Sequence, residues 1–254
     1  MKINKIIKLK NNKYKLILDD CDLITYDDVI IKNNLLYKKE IDTILYNDIV
    51  NQTEYFNVYN NAIKYIMKKR RSEKEVRSYL NKFNIDIDSI IFRLKSINLI
   101  NDIDYTKAYI NDQIYLSNTG INKIKVNLLE QDIPIEIIDS ELSKIDSNVL
   151  DNKLEKIIIK KIKANSKYSN IIIKQKILNE MINLGYSKDK ILEIIDNNLL
   201  DNKEILNKEF NKLYNSFKNK YDNYNLKLKL KKRLVSKGFN ISDINILIDK
   251  IKED

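Results

Sequence analysis

The stretches Ile177-Leu178-Asn179-Glu180-Met181-Ile182-Asn183-Leu184-Gly185-Tyr186 and Leu230-Lys231-Lys232-Arg233-Leu234-Val235-Ser236-Lys237-Gly238-Phe239 decide the fold. In each, apolar residues at helical spacing run up to a glycine, and a large apolar residue follows. Glycine at C′ accepts the left-handed conformation that ends a helix, and the residue after it packs back on the helix end. The chain has only three glycines, and two of them stand at this one position. The same sentence is spelled twice more upstream, as Ile124-Leu128 before Asp132-Ile133 and as Val76-Tyr79-Leu80 before Asn84-Ile85. Asn and Asp are the other residues that tolerate a positive φ.

Positions 84, 132, 185 and 238 lie 48, 53 and 53 residues apart, a period that suits three short helices per unit. Each hinge leads into a third helix carrying Ile90, Ile91 and Leu94; Ile138 and Leu142; Ile191, Leu192 and Ile195; or Ile244, Leu247 and Ile248. The first helix of each unit falls at residues 59–69, 105–116, 154–163 and 210–218. One such unit cannot bury both its faces, so neighbours must stack. The expected fold is therefore mainly α: an elongated, curved array of tandem three-helix repeats over residues 54–102, 103–150, 151–203 and 204–254. A small α+β module over residues 1–53 precedes it. There, Ile7 and Leu9, then Tyr14, Leu16 and Leu18, flank the turn-prone Asn11-Asn12-Lys13 and predict a β-hairpin. Asp19-Asp20-Cys21-Asp22 reads as the next turn, Leu23 to Tyr26 as a third strand, and Asp27 as a helix N-cap.

Composition narrows the function. Three Gly and one Pro in 254 residues argue against a loop-rich sandwich or barrel. Forty-six Lys and Arg against thirty-six Asp and Glu give a formal charge of +10, which favours an anionic partner, nucleic acid or an acidic protein face. There is no His, no paired cysteine and no Gly-rich phosphate loop, so the usual acid–base, nucleophilic and nucleotide-binding sites lack parts. No enzyme activity and no cofactor are expected. Asp19, Asp20 and Asp22 suggest a turn, with a cation site and a metal-dependent nuclease as the rival reading. A lone Cys21, the absence of a membrane-length apolar run and the absence of a signal-peptide core point to the cytoplasm.

Candidate contacts follow from charge placement. Lys68, Lys69, Arg70 and Arg71 sit together at a helix end, more cations than the helix dipole requires. Arg77, Lys125 and Lys231 each stand seven residues before a hinge, so stacked units would align them, with Leu178 interrupting the row in the third unit. Lys123, Lys174, Lys176, Lys227, Lys229, Lys232 and Arg233 lie on the same middle helices, as contacts or simply as a solvated face. Ser72 and Glu75 have the spacing of a capping box. Tyr59, Tyr79 and Tyr186 are expected in cores.

The segment from Ala62-Ile63-Lys64-Tyr65-Ile66 through Arg70-Arg71-Ser72-Glu73-Lys74-Glu75-Val76-Arg77-Ser78-Tyr79-Leu80 resembles the RecX family, regulators of the recombinase RecA. Leu99-Ile100-Asn101-Asp102 and Asp104-Tyr105-x-x-Ala108-Tyr109-Ile110 extend the likeness, which is strongest from Ala62 to Leu142. Departures are Asn84 and Asp132 where the family commonly has glycine, and Gly120 in place of a serine-like cap. The resemblance implies a monomeric protein of DNA repair and homologous recombination. Such a protein lies in the groove of the RecA filament on DNA and suppresses its ATPase and strand exchange. The alternative from the charges alone is a helical-repeat protein that binds single- or double-stranded DNA directly.

Overall fold

The computed structural model describes residues 1–251. Its chain divides into two compact units, Met1–Tyr105 and the residues from Thr106 onward.

In the first unit, strands β1 (Ile3–Lys8), β2 (Lys13–Leu18) and β3 (Asp22–Tyr26) form an antiparallel sheet in that order. Asn11 and Asn12 both take φ near +57°, the left-handed pair that a tight hairpin needs. Period-two alternation buries Leu16 and Leu18. Helix α1 (Asp27–Lys32) starts at Asp27 itself, with Tyr26 as its cap residue, one position earlier than expected. Helix α2 (Thr43–Lys68) is capped by Asp42, whose carboxylate accepts from the Leu45 N–H at 2.7 Å. The expected boundary at residue 53 therefore lies inside α2. Its apolar stripe begins at Leu45 and Ile49, and Thr53 is buried, bonded through its hydroxyl to Thr25 of β3 at 2.6 Å. Helices α3 (Glu73–Leu80) and α4 (Ile87–Ser96) complete the first triplet. Its core joins Leu16, Ile30, Ile49, Ala62, Val76, Leu80, Ile91 and Leu94.

Helix α5 (Asp102–Leu116) opens the second triplet, which continues with α6 (Ile121–Leu129) and α7 (Ile135–Ser143). The third consists of α8 (Ser147–Ala164), α9 (Asn170–Asn183) and α10 (Lys188–Asn198). The fourth consists of α11 (Asn202–Phe217), α12 (Asn223–Val235) and α13 (Ile241–Ile248). The middle helix is capped by Ser72 and Gly120 in the first two triplets, twelve residues before the hinge. In the last two it is capped by Ser169 and Asp222, sixteen residues before it. One added helical turn thus accounts for most of the lengthening from 48 to 53 residues.

Three of the four hinges close alike. The N–H groups of Ile133, Tyr186 and Phe239 donate to the carbonyls of Leu128, Met181 and Leu234 across left-handed Asp132, Gly185 and Gly238. Asn84 does not take a positive φ, contrary to the sequence reading. There, the Phe83 N–H bonds the Leu80 carbonyl at 2.9 Å and the Phe83 ring meets Tyr79 edge-on, so aromatic packing holds the turn.

The hinges also join neighbouring triplets of the second unit. The Gly120 N–H donates to the Leu184 carbonyl at 2.6 Å and the Asn122 N–H to the Gly185 carbonyl at 3.1 Å. A Cβ on Gly120 would lie 2.6 Å from the Gly185 carbonyl, and one on Gly185 would lie 2.4 Å from the Lys123 nitrogen. The Ser169 N–H reaches the Lys237 carbonyl at 2.9 Å, and a Cβ on Gly238 would strike Ile172 and Ser169. The start of one middle helix is therefore seated on the hinge of the next.

Candidate binding surface

The four-cation run is split by local structure. Helix α2 ends at Lys68, Lys69 is extended, and Ser72 caps α3 with the expected box: its hydroxyl accepts from the Glu75 N–H at 3.1 Å, and Glu75 accepts from the Ser72 N–H at 3.2 Å. This brings Glu75 back under the run. Arg71 donates to it at 2.9 Å, and Lys69 lies 3.4 Å away. The Arg71 side chain is only 15% exposed and lies over the Tyr65 ring, 4.1 Å from its centroid. Tyr65 in turn stacks on Tyr79 at 4.2 Å, and the Lys82 ammonium covers the far face of that pair at 3.9 Å from Tyr79. Arg71 is thus the end of a cation–ring–ring–cation column. Lys68 and Arg70 point outward and make no ion pair among the described residues. Arg70 borders a cleft of about 320 Å³ with Met67, Asn98, Asn101 and Asp104.

Arg77 is similarly committed. It donates to Glu73 at 2.7 Å and to Asp88 of α4 at 2.6 Å, while Lys95 also pairs with Glu73. Burial acts to raise the Glu73 carboxyl, yet the hydrogen bonds from Lys95 and Arg77 hold it below its ordinary value. Glu75 behaves likewise: burial opposes, and Arg71, the Ser72 N–H and Lys69 prevail. Asp102, which accepts the Glu73 N–H at 3.0 Å, is pushed up by burial.

In the second unit, Lys125 pairs with Asp139 of α7 at 2.6 Å and Lys174 pairs with Asp196 of α10. A bond from the middle helix to an aspartate on the third helix thus recurs in the first three triplets. Arg77 and Lys125 share it at equal distance from the hinge, so both hold a triplet together and expose only part of their charge. Lys123 is exposed, with its backbone against Gly185. Lys176 covers the Tyr168 ring at 3.6 Å. On α12, Lys229 lies over Tyr221 at 5.5 Å. Lys231, Lys232 and Arg233 make no ion pair among the described residues. Tyr59 is buried and Tyr79 partly so, as expected. Tyr186 packs on the third core with its hydroxyl buried and without a hydrogen bond.

The sequence reading missed the Tyr65–Tyr79 column, although i, i+4 cues from Tyr79 to Phe83 were present. It also missed Lys153, which donates to the Ile114 carbonyl at 2.6 Å near the end of α5 and is pushed down by burial. Asp19 is occupied by the Lys2 N–H and Asn4, and Asp22 by Lys15. Among the described residues no group of three His, Cys, Asp or Glu is placed to hold a metal ion, and no helix is long and apolar enough to cross a membrane.

No protein-family model matches the chain. Individual proteins do. The chain is 32% identical to the regulatory protein RecX of Streptococcus sanguinis strain SK36, over 96% of this chain and 97% of that protein. The chain belongs to the RecX family. The RecX of Streptococcus gordonii is 30% identical over 98% of both chains. A crystal structure of a regulatory protein RecX superposes with a TM-score of 0.67 at 22% identity, covering 77% of this chain and 98% of that one, which supports the fold. RecX from Lactobacillus salivarius superposes with a TM-score of 0.52 at 28% identity, over 57% of this chain and 96% of that one. The RecX relatives are regulatory proteins by name, and their likeness runs through both the sheet and the helical triplets.

Proposed function

We propose that this protein binds the RecA filament on DNA and restrains its ATPase and strand exchange, as a cytoplasmic monomer and without catalysis. The observation that carries this reading is the end-to-end similarity to regulatory RecX proteins. The four triplets, taken as repeats over residues 54–102, 103–150, 151–203 and 204–254, serve as successive binding units. Lys68 and Arg70 are the leading contacts in the first. Lys69, Lys123 and Lys176 are further contacts. Arg71, Arg77, Lys125 and Lys174 position their neighbours and lend charge to the surface.

RecA ATPase on single-stranded DNA, titrated with this protein beside a DNA-only control at the same salt, tests the reading. Inhibition at amounts well below the recombinase is expected. No inhibition, with tight binding to bare DNA and no preference for the filament, would instead favour a DNA-binding scaffold.

A further inference from the structure

The three-stranded sheet is apolar on both faces, and among the described residues only one face is covered. Consecutive apolar residues occur in every strand: Ile6-Ile7 in β1, Leu16-Ile17-Leu18 in β2 and Leu23-Ile24 in β3. Side chains alternate across a strand, so such runs serve both faces, as in sheets that helices cover on both sides. The inner face, with Ile6, Leu16, Leu18 and Leu23, joins the core with α1 and α2. Ile7, Ile17 and Ile24 stand on the outer face and take no part in that core. The register brings these three together. Ile17 lies opposite Lys5 and Asp22, which puts Ile7 and Ile24 on its two diagonals, within side-chain reach. Ile24 is 51% exposed, and Leu9, two residues beyond Ile7, extends the patch. A sheet with one face in water carries polar residues there, whereas this one carries four apolar side chains.

The surroundings of the patch select its partner. From Met1 to Leu18 the chain has six lysines and no acidic residue. Lys5, Lys13 and Lys15 share the outer face with the isoleucines. Asp22 answers Lys15 at 2.6 Å, Lys13 lies over the Tyr26 ring, and Lys5 is exposed and makes no ion pair among the described residues. Lysine is longer than isoleucine, so a flat surface such as a bilayer would meet the ammonium groups before it reached the apolar floor. A nucleic-acid strand would leave the isoleucines unused and find no open ring on this face to stack on, because Tyr26 is buried. A helix with one apolar stripe fits. Its apolar side chains reach down between the lysines, and acidic residues along its flanks meet them.

We infer that the outer face of the sheet docks an acidic amphipathic helix of a partner protein, with Ile7, Ile17 and Ile24 taking its apolar stripe and Lys5 and Lys13 its acidic flanks. The site lies outside the four triplets and does not rest on the recombinase reading, so its test contains no recombinase. A fluorescein-labelled synthetic helical peptide, leucine along one face and glutamate along the other, is titrated with the full chain and read by anisotropy. The wild type should bind it and should ignore the same peptide with lysine in place of glutamate. The double variant Ile7→Thr, Ile24→Thr keeps β-branched residues in both strands and should weaken binding about 10-fold. Lys5→Glu should weaken it about 5-fold at low salt, with the difference fading at about 1 M. Lys232→Gln, Arg233→Gln, on α12, should bind as the wild type does. Circular dichroism checks that each variant folds. Should the double variant unfold, Ile24→Gln alone gives the same reading at an exposed side chain, with about a 3-fold loss expected. No binding by the wild type, or full binding by the isoleucine variants, would overturn the assignment. Loss by those variants of affinity for phosphatidylserine vesicles, with the peptide unaffected, would overturn it in favour of a bilayer.

Discussion

The first and fourth triplets hold their middle helices by opposite means. Around α3, almost every charge is answered: Glu73 takes Arg77 and Lys95, Glu75 takes Arg71 and Lys69, and two stacked tyrosines fill the space between cations. Around α12, leucines face the core, the preceding triplet is met through main chain at Gly238, and Lys231, Lys232 and Arg233 make no ion pair among the described residues. The difference teaches how to read basic residues. A cluster of Lys and Arg held by acids and stacked rings is architecture, whereas Lys231, Lys232 and Arg233 keep their charge at the surface with no ion pair among the described residues.

The sharpest way to break the comparison is at the hinges. Gly185→Ala would force a left-handed alanine and drive its Cβ into the start of α6, so a loss of about 3 kcal/mol in urea unfolding is expected. Asn84→Gly, at the corresponding position of the first triplet, relieves no strain. It should cost about 0.5 to 1 kcal/mol through the added freedom of the unfolded chain. Equal effects at the two sites would mean that the first hinge closes like the others.

A smaller effect separates two adjacent arginines. Arg71→Ala removes the cap on the tyrosine stack and the partner of Glu75, for an expected loss of about 2 kcal/mol. Arg70→Ala should stay within about 0.5 kcal/mol. The same unfolding measurement reads both, and a reversed order would show that Arg70 is the architectural residue.

The smallest effect is in pH. Glu73 and Glu75 are held below the ordinary value of 4.5 in the folded state, so the unfolded chain binds protons first as the solution is acidified. Their contribution to stability is present above that pH and is lost as pH falls through the lower folded values. Asp102, raised by burial, works in the opposite sense around its ordinary 3.8. Urea midpoints measured from pH 6 downward should fall less steeply in Glu73→Gln, Glu75→Gln than in the wild type. Parallel curves would remove these carboxylates from the acid response.

Much of this was legible in the chain. Helical periodicity, the recurrence of Gly185 and Gly238, the Ser72–Glu75 box and the hairpin at Asn11-Asn12 are local signals, and the local structure followed them. The reading failed where a distant partner decides. Asn84 looked like the other hinges because its neighbours in sequence do, but Phe83 had an aromatic neighbour to pack against. Module limits drawn at residue 53 missed Asp42, a cap 17 residues ahead of the helix read at residues 59–69. Arg71 and Arg77 could not be told from Arg70 by charge alone, because ring stacking and acid pairing are matters of three-dimensional placement.

The seat of Gly120 on Gly185 has a consequence for how this sequence is free to drift. A junction made by main-chain groups that touch asks nothing of the identity of the surrounding side chains, beyond leaving room for two missing methyls. Substitutions elsewhere on α6 and α9 can therefore accumulate, altering what the surface recognises, while the coupling between the triplets stays as it was. Two hydrogen atoms where other residues carry carbon are the inflexible part, and everything around them is negotiable.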